Sequence, residues 1–489
     1  MTEPEERKAL LSSPGTAMTP KCHPRDRKHL AMTMPELSEA PNTHMQHLKA
    51  LGGFRRAFLN ARADEAGIPM EARPAAWRQP LLRVNHFERV LGHNGTSPDD
   101  GTAGTRATVL AIVKSFVGSG ILFMPGGFAQ AGWMLSTALL LGIAILNAHC
   151  IHLLLETCAH TGLYDFGALA LHIYGRRGQH LVQSCLVLSQ FACVITYLLF
   201  IGEVAASAGA NTLFSPAQLV GLELVVMGPL GLVRSVNRLE LALLAADILI
   251  LSGLAIVICT LAHTLAEDGV SSSVTPIKWE TSGVFVGTVV MSFEGVPLML
   301  PIRNSMAEPH SFPRLFRRTF ALIATAFVLL GFGGYLAYGS AVEPVLLSSM
   351  PASSMMTAVR ASTCVALALG SPLLFIPAAR VTEQWLLGDA DQVASRPHAV
   401  NLLRLCEYVA FAAVALCARD QFQISIALIG GISGAPIAFI CPATFHLRTV
   451  PQSALGVSTD VFCILLGLAA MVCVTWQALA AFVANGPQR

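Results

Sequence analysis

The stretch Lys114-Ser115-Phe116-Val117-Gly118-Ser119-Gly120-Ile121-Leu122-Phe123-Met124-Pro125-Gly126-Gly127 is apolar enough for a lipid bilayer, yet it holds residues that a straight helix avoids. Glycine lacks the side chain that confines the backbone, and proline lacks the N–H that a helix turn needs. The spacing predicts a membrane span broken near its middle. A second stretch, Ser292-Phe293-Glu294-Gly295-Val296-Pro297, followed by Pro301, repeats the pattern.

Outward from these breaks, apolar runs close to the bilayer-crossing length recur, each ended by short polar punctuation. There are eleven, at about 107–131, 133–157, 182–206, 216–233, 241–263, 283–302, 317–339, 356–386, 399–417, 422–445 and 457–483. Unpaired backbone groups cannot face lipid, and the alternation of a β-barrel is missing, so the runs are read as helices. The breaks fall in runs one and six, matching positions of two five-helix halves, which points to an inverted-repeat transporter with its site at mid-membrane. The expected fold is therefore an all-α integral membrane protein of about eleven spans, built as a 5+5 inverted repeat plus one further helix.

Composition supports a bilayer as solvent. Of 489 residues 53% are hydrophobic and 13% charged, too apolar for a soluble domain. Up to Arg106 the chain holds 15 of its 32 Lys and Arg and 12 of its 30 Asp and Glu. Residues 1–106 thus read as a polar, mostly disordered tail, 107–483 as the membrane body and 484–489 as a short C-terminal tail. No signal-peptide core opens the chain. Within the tail, 47–63 carries Leu48, Leu51, Phe54, Phe58 and Leu59 at helical spacing among basic residues, the pattern of a surface helix.

With the tail in the cytosol, twelve basic residues fall in inner loops, among them Arg176, Arg177, Arg314, Arg317, Arg318 and Arg404. The outer side holds only Lys278, Arg360, Arg419 and Arg489. This bias agrees with an odd number of spans. A net charge of +2 and the absence of a basic stripe give nucleic-acid binding no support. The twelve cysteines form no C-x-x-C pair and read as small buried hydrophobes. No metal spacing, nucleophile elbow or phosphate loop lies in the spans, so the chain is not read as an enzyme, and no cofactor is expected.

Broken helices supply chemistry. Backbone N–H groups at the positive end of a half-helix suit a carboxylate, and carbonyls at a negative end suit an ammonium group or a cation. A zwitterionic amino acid matches both. Gly118, Ser119 and Gly120 are the expected carboxylate binders, and Ser292, Phe293 and Gly295 the expected ammonium side. Ionisable residues inside spans mark function. Glu294, in the sixth-span break, is the leading proton carrier, with Asp247 and Glu203 behind it. Lys114, one turn before the first break, is a partner for a carboxylate or a brace of the inner half-span. His149 and His152 read as hydrogen-bonded packing.

The segment Lys114 to Pro125 resembles the first-span motif of the amino acid/auxin permease family, within it the vacuolar amino-acid exporters and proton-coupled amino-acid transporters. Phe293-Glu294-Gly295 with Leu300-Pro301 and Asn304-Ser305-Met306-Ala307-Glu308-Pro309 resembles the family's sixth-span signature. Gly370-Ser371-Pro372 with Pro377-Ala378-Ala379-Arg380 resembles its eighth span, and Gln190 with Tyr197 its third. The resemblance covers about 107–483. It implies the LeuT-like repeat, transport of neutral or cationic amino acids, and proton coupling, with Tyr197 and Ser371 in support. One departure is Ala111, where the animal proton-coupled branch has a histidine. This moves the coupling role to Glu294, or points to a uniporter-like mechanism. Sodium is the other coupling ion to test, with Ser371 and nearby carbonyls as its ligands.

The alternative is an amino-acid sensor that signals through the tail. Glu6, Leu10 and Leu11 have the spacing of an acidic dileucine sorting signal, so a sorting adaptor is an expected partner beside substrate and bilayer. The expected address is a vacuolar or lysosomal membrane. Asn94-Gly95-Thr96 is expected to stay unglycosylated on the cytosolic side.

Overall fold

In hydrocarbon each apolar run must close its backbone hydrogen bonds within itself, and the computed structural model is accordingly all-helical over the residues it describes. These are 103–209, 213–233, 240–293, 295–388 and 390–485. The tail before Ala103, with Glu6, Leu10, Leu11, the 47–63 segment and Asn94, lies outside the described residues, and so does Glu294.

The first run is split into α1 (Thr105–Phe116) and α2 (Gly120–Ala131). Then come α3 (Trp133–Thr161), α4 (Phe166–Ser207), α5 (Pro216–Gly231) and α6 (Glu240–Glu267). The sixth run is split into α7 (Ser282–Ser292) and α8 (Met299–Ser305), joined through a 3-10 turn at Val296–Leu298. The remainder comprises α9 (Phe312–Tyr338), α10 (Leu346–Ser349), α11 (Ser354–Leu387), α12 (Ala390–Ser395), α13 (Pro397–Ala418), α14 (Phe422–Ile429), α15 (Cys441–Thr449) and α16 (Ala454–Asn485). Between α14 and α15 the chain continues through two π-helical turns, Gly430–Gly434 and Pro436–Ile440.

Among the described residues nine helices are long and apolar enough to cross a membrane, and α1 with α2 adds a tenth. The remaining expected run, 216–233, forms α5, an apolar helix of 16 residues. Polar punctuation becomes helix caps. Asp165 accepts the Ala168 N–H at 2.8 Å. Ser215 and Gln218 exchange hydrogen bonds of 3.4 and 2.7 Å, and Ser353 accepts the Met356 N–H at 3.1 Å. Gly175, at φ 68°, kinks α4, which is why its spanning part begins well after Phe166.

The broken sixth run sits at the centre. In its most apolar window 82% of residues are buried, against 22% for α6 and for α16. Outer helices instead turn large apolar side chains outward, Leu322, Leu329, Val472 and Trp476 among them. Helix faces this rich in exposed apolar side chains suit an apolar solvent. Phe116 ends α1, Phe293 follows α7, and both rings pack on Phe320 of α9 with centroids 4.9 and 5.3 Å away.

The two ends of the bundle are stitched separately. At one, the Ala103 N–H donates to the Ser305 carbonyl at 2.8 Å and the Ala307 N–H to Ala103 at 2.9 Å, tying the entry of the first span to the exit of the sixth. At the other, the Trp133 N–H donates to Thr275 at 3.1 Å and the Ser271 N–H to Leu336 at 2.9 Å. Two arginines assigned to loops are buried. Arg360 donates to the carbonyls of Leu347 and Met350 at 3.0 and 2.7 Å. Arg404 lies inside the bundle against Glu383. Cys150, Cys158, Cys193, Cys441 and Cys463 are buried as expected, whereas Cys259, Cys406, Cys417 and Cys473 are exposed on apolar helices.

Candidate functional site

α1 stops at Phe116 because Val117 takes φ −89° and ψ 86°, outside the helical region. The chain resumes helix at Gly120 with its axis turned by 45°. In the sixth span, Phe293 at φ −93° and ψ 37° ends α7. Pro297 and Pro301 then withhold two N–H donors, and only a 3-10 turn and the short α8 follow.

The two breaks meet. The Ser292 hydroxyl donates to the Gly120 carbonyl at 3.3 Å and to its own helix at Thr288 at 2.7 Å. A β-carbon on Gly120 would lie 2.9 Å from Ser292 Cα, and one on Gly295 would lie 2.7 Å from the Ser115 carbonyl. Both glycines thus permit close approach of the broken helices. Gly118 differs, since a β-carbon there would meet only the Tyr197 hydroxyl, at 3.7 Å. The N-terminus of α2 and the C-terminus of α7 therefore adjoin, bringing helix ends of opposite partial charge to one spot.

Open space lies on the other side of the first break. Gly118 and Ser119 line a cavity with Gly253 and Val257 of α6 and Thr363 and Leu367 of α11. Its free space for water centres is ≈ 10 Å³, enough for about one water, so an amino acid would require the walls to part. One turn beneath the lining residues, Lys114 Nζ lies 2.9 Å from Asp247 Oδ2 and joins α1 to α6. The sequence singled out both residues, without showing that they pair.

Other expected site residues stand apart. Glu203, near the end of α4, lines a second cleft with Arg419, Pro216 and Leu219. The fully buried Ser371 hydroxyl donates to Ala368 of its own helix at 2.9 Å and does not line the first cavity. Phe293 keeps its ring in the aromatic cluster. His152 faces outward, 3.9 Å from Glu156.

Three buried polar features were not singled out in the sequence. Glu223 of α5 is 8% exposed, and its Oε2 has no hydrogen-bond partner among the described residues. Arg404 Nε donates to Glu383 at 2.6 Å, and its Nη1 donates to the carbonyls of Gly231 and Val233 at 2.9 and 3.1 Å. His446 Nδ1 lies 2.7 Å from Asp460 Oδ2, which also accepts from Gln452 at 2.7 Å. Glu223 and Asp460 are carboxyls inside apolar runs, whereas Arg404 was counted with the inner loops and His446 falls one residue past the tenth run.

Comparisons with known proteins agree with this picture. A family model described as transmembrane amino acid transporter protein matches residues 101–480. Vacuolar amino acid transporter 3 of Schizosaccharomyces pombe is 27% identical, covering 89% of this chain and 74% of that one. Vacuolar amino acid transporter 3 of Saccharomyces cerevisiae is 26% identical over 91% of this chain and 70% of that one. The inward-facing structure of Mhp1 superposes with a TM-score of 0.51 at 12% identity, over 80% of this chain and 93% of that one, and shows a shared LeuT-like fold.

Proposed function

Since the chain belongs to the transmembrane amino acid transporter family, the amino acid/auxin permease type, we propose that it moves amino acids across a membrane as a proton-coupled secondary transporter working by alternating access. The observation that carries this reading is the adjacency of Gly120 and Ser292, where the Ser292 hydroxyl meets the Gly120 carbonyl at 3.3 Å. A positive and a negative helix end share this spot, a match for the carboxylate and ammonium groups of one ligand.

In the proposed cycle the amides at Gly118, Ser119 and Gly120 receive the carboxylate, and backbone around Ser292, Phe293 and Gly295 receives the ammonium group. The narrow cavity beside Gly118 is the volume that widens for the side chain. The Lys114–Asp247 pair closes one end of it, and its parting accompanies opening. Glu294 is the proposed proton carrier in the break. The tail and the Ala103 end are proposed to face the cytosol, in a vacuolar or lysosomal membrane reached through Glu6, Leu10 and Leu11 and a sorting adaptor. The sensor alternative draws no support from the named relatives.

The test is uptake into proteoliposomes under an imposed pH gradient and then an imposed sodium gradient. Accumulation driven by the pH gradient and lost in Glu294→Gln, with exchange at equilibrium retained, is the expected result. Accumulation driven by sodium alone and unchanged in that variant contradicts proton coupling.

A further inference from the structure

Glu223 is the eighth of the 16 residues of α5, two turns from either end. It is 8% exposed, and its Oε2 finds no hydrogen-bond donor among the described residues. A carboxyl group placed so must hold a proton, or be met by water or a cation whenever it loses one. A purely structural acid would be expected to accept from a neighbour, as Glu383 does from Arg404.

Space reaches it from one side. The cleft that holds Glu203 and Arg419 is also lined by Leu219 and Val220, one turn before Glu223 on α5, and by Gly202 of α4. A β-carbon on Gly202 would lie 3.7 Å from Glu223 Oε1, so the wall of the cleft adjoins the carboxyl. The free space of ≈ 30 Å³ for water centres holds roughly two waters. α5 also packs against α11, whose Thr363 lines the cavity at the first-span break. The ionisable groups lining that cleft are Glu203 from α4 and Arg419 just beyond the end of α13, and Cys364 follows Thr363 on α11.

We propose that Glu223 carries the coupling proton between the Glu203 cleft and the cavity at the first-span break. The carboxylate takes a proton from cleft water as the neutral acid forms, and returns it to water in the first cavity when that cavity widens. No other group is consumed. The inference rests on the proton-coupled reading given above, and adds Glu223 to Glu294 as a second proton-binding carboxyl.

The test uses the full chain in proteoliposomes with an imposed pH gradient and an internal pH dye. Glu223→Gln is expected to keep equilibrium amino-acid exchange within about twofold of wild type and to lose gradient-driven accumulation at least about tenfold, with Glu223→Asp intermediate. Wild-type accumulation in Glu223→Gln, or parallel loss of exchange and accumulation in a folded variant, overturns the assignment. If the wild type itself shows no accumulation under the pH gradient, the coupled reading fails and this inference with it. Should Glu223→Gln not fold, the wild-type protein is treated with dicyclohexylcarbodiimide, which attacks protonated carboxyls in apolar surroundings. Mass spectrometry should then find Glu223 modified in step with loss of accumulation. Blocked accumulation with Glu223 unmodified overturns the proposal.

Discussion

Lys114 of the first span and Asp247 of the fifth form an ion pair of 2.9 Å, one helical turn from the residues that line the cavity at the first break. Neither is fully buried, with side chains 24% and 32% exposed, so packing does not lock the pair shut. That suits a contact that forms and breaks during a cycle. Asp247→Asn should lower amino-acid exchange about tenfold, the ratio that about 1.4 kcal/mol produces, and Lys114→Met should do the same. The exchanged pair, Lys114→Asp with Asp247→Lys, should recover most of the loss in a counterflow assay. Full activity in both single variants would show the pair to be incidental.

The glycines of the first break should separate by role. Gly120 touches Ser292 so closely that Gly120→Ala must push the two broken spans apart, which overpacking data place at roughly 1–3 kcal/mol. A lower unfolding temperature in detergent is the readout. Gly118→Ala finds only the Tyr197 hydroxyl, 3.7 Å away, and should keep flux within about twofold. Gly118→Leu fills the cavity and should abolish flux in a folded protein. Equal stability of Gly120→Ala and Gly118→Ala would contradict this division.

The buried Arg404–Glu383 pair is expected to act on stability. Both side chains are nearly inaccessible, at 3% and 5%, and Arg404 also binds two carbonyls at the end of α5. Glu383→Ala leaves an uncompensated buried charge, a change that costs about 3–5 kcal/mol. Replacing both residues by Met should cost less than the single change. Thermal unfolding of the three variants checks the order.

Much of the fold was legible because bilayer physics is demanding. Span length, polar caps and the paired breaks at Gly118–Gly120 and around Gly295 all leave direct traces in the residues. The walls of the cavity do not. Gly253 and Thr363 belong to plain apolar runs, and which face a helix turns inward depends on its rotation against its neighbours. The Lys114–Asp247 and Arg404–Glu383 pairs were hidden for the same reason, since a charge in a span announces cost and not its partner. Arg404 also sits within reach of a loop, which made a surface role the simpler reading. Glu223 lies away from both breaks, although a carboxyl inside a short apolar run carries the same message as Glu294.

The His446–Asp460 contact bridges α15 and α16, and at 2.7 Å it is as short as any side-chain pair outside the Arg404 site. Asp460→Asn removes a charge-assisted bond that is also shared with Gln452, a loss of about 1.5–3 kcal/mol. A lowered unfolding temperature with exchange preserved at low temperature is the expected result. Unchanged stability would mark the contact as energetically neutral.

The central claim is that this chain carries amino acids through the break at Gly118, and counterflow in proteoliposomes tests it most directly. Purified protein is reconstituted with one unlabelled amino acid inside, and a panel of labelled amino acids is offered outside in turn. The account predicts saturable, trans-stimulated entry of at least one amino acid, absent in Gly118→Leu. Failure of every amino acid to exchange through folded wild-type protein, or equal exchange by Gly118→Leu, would contradict it.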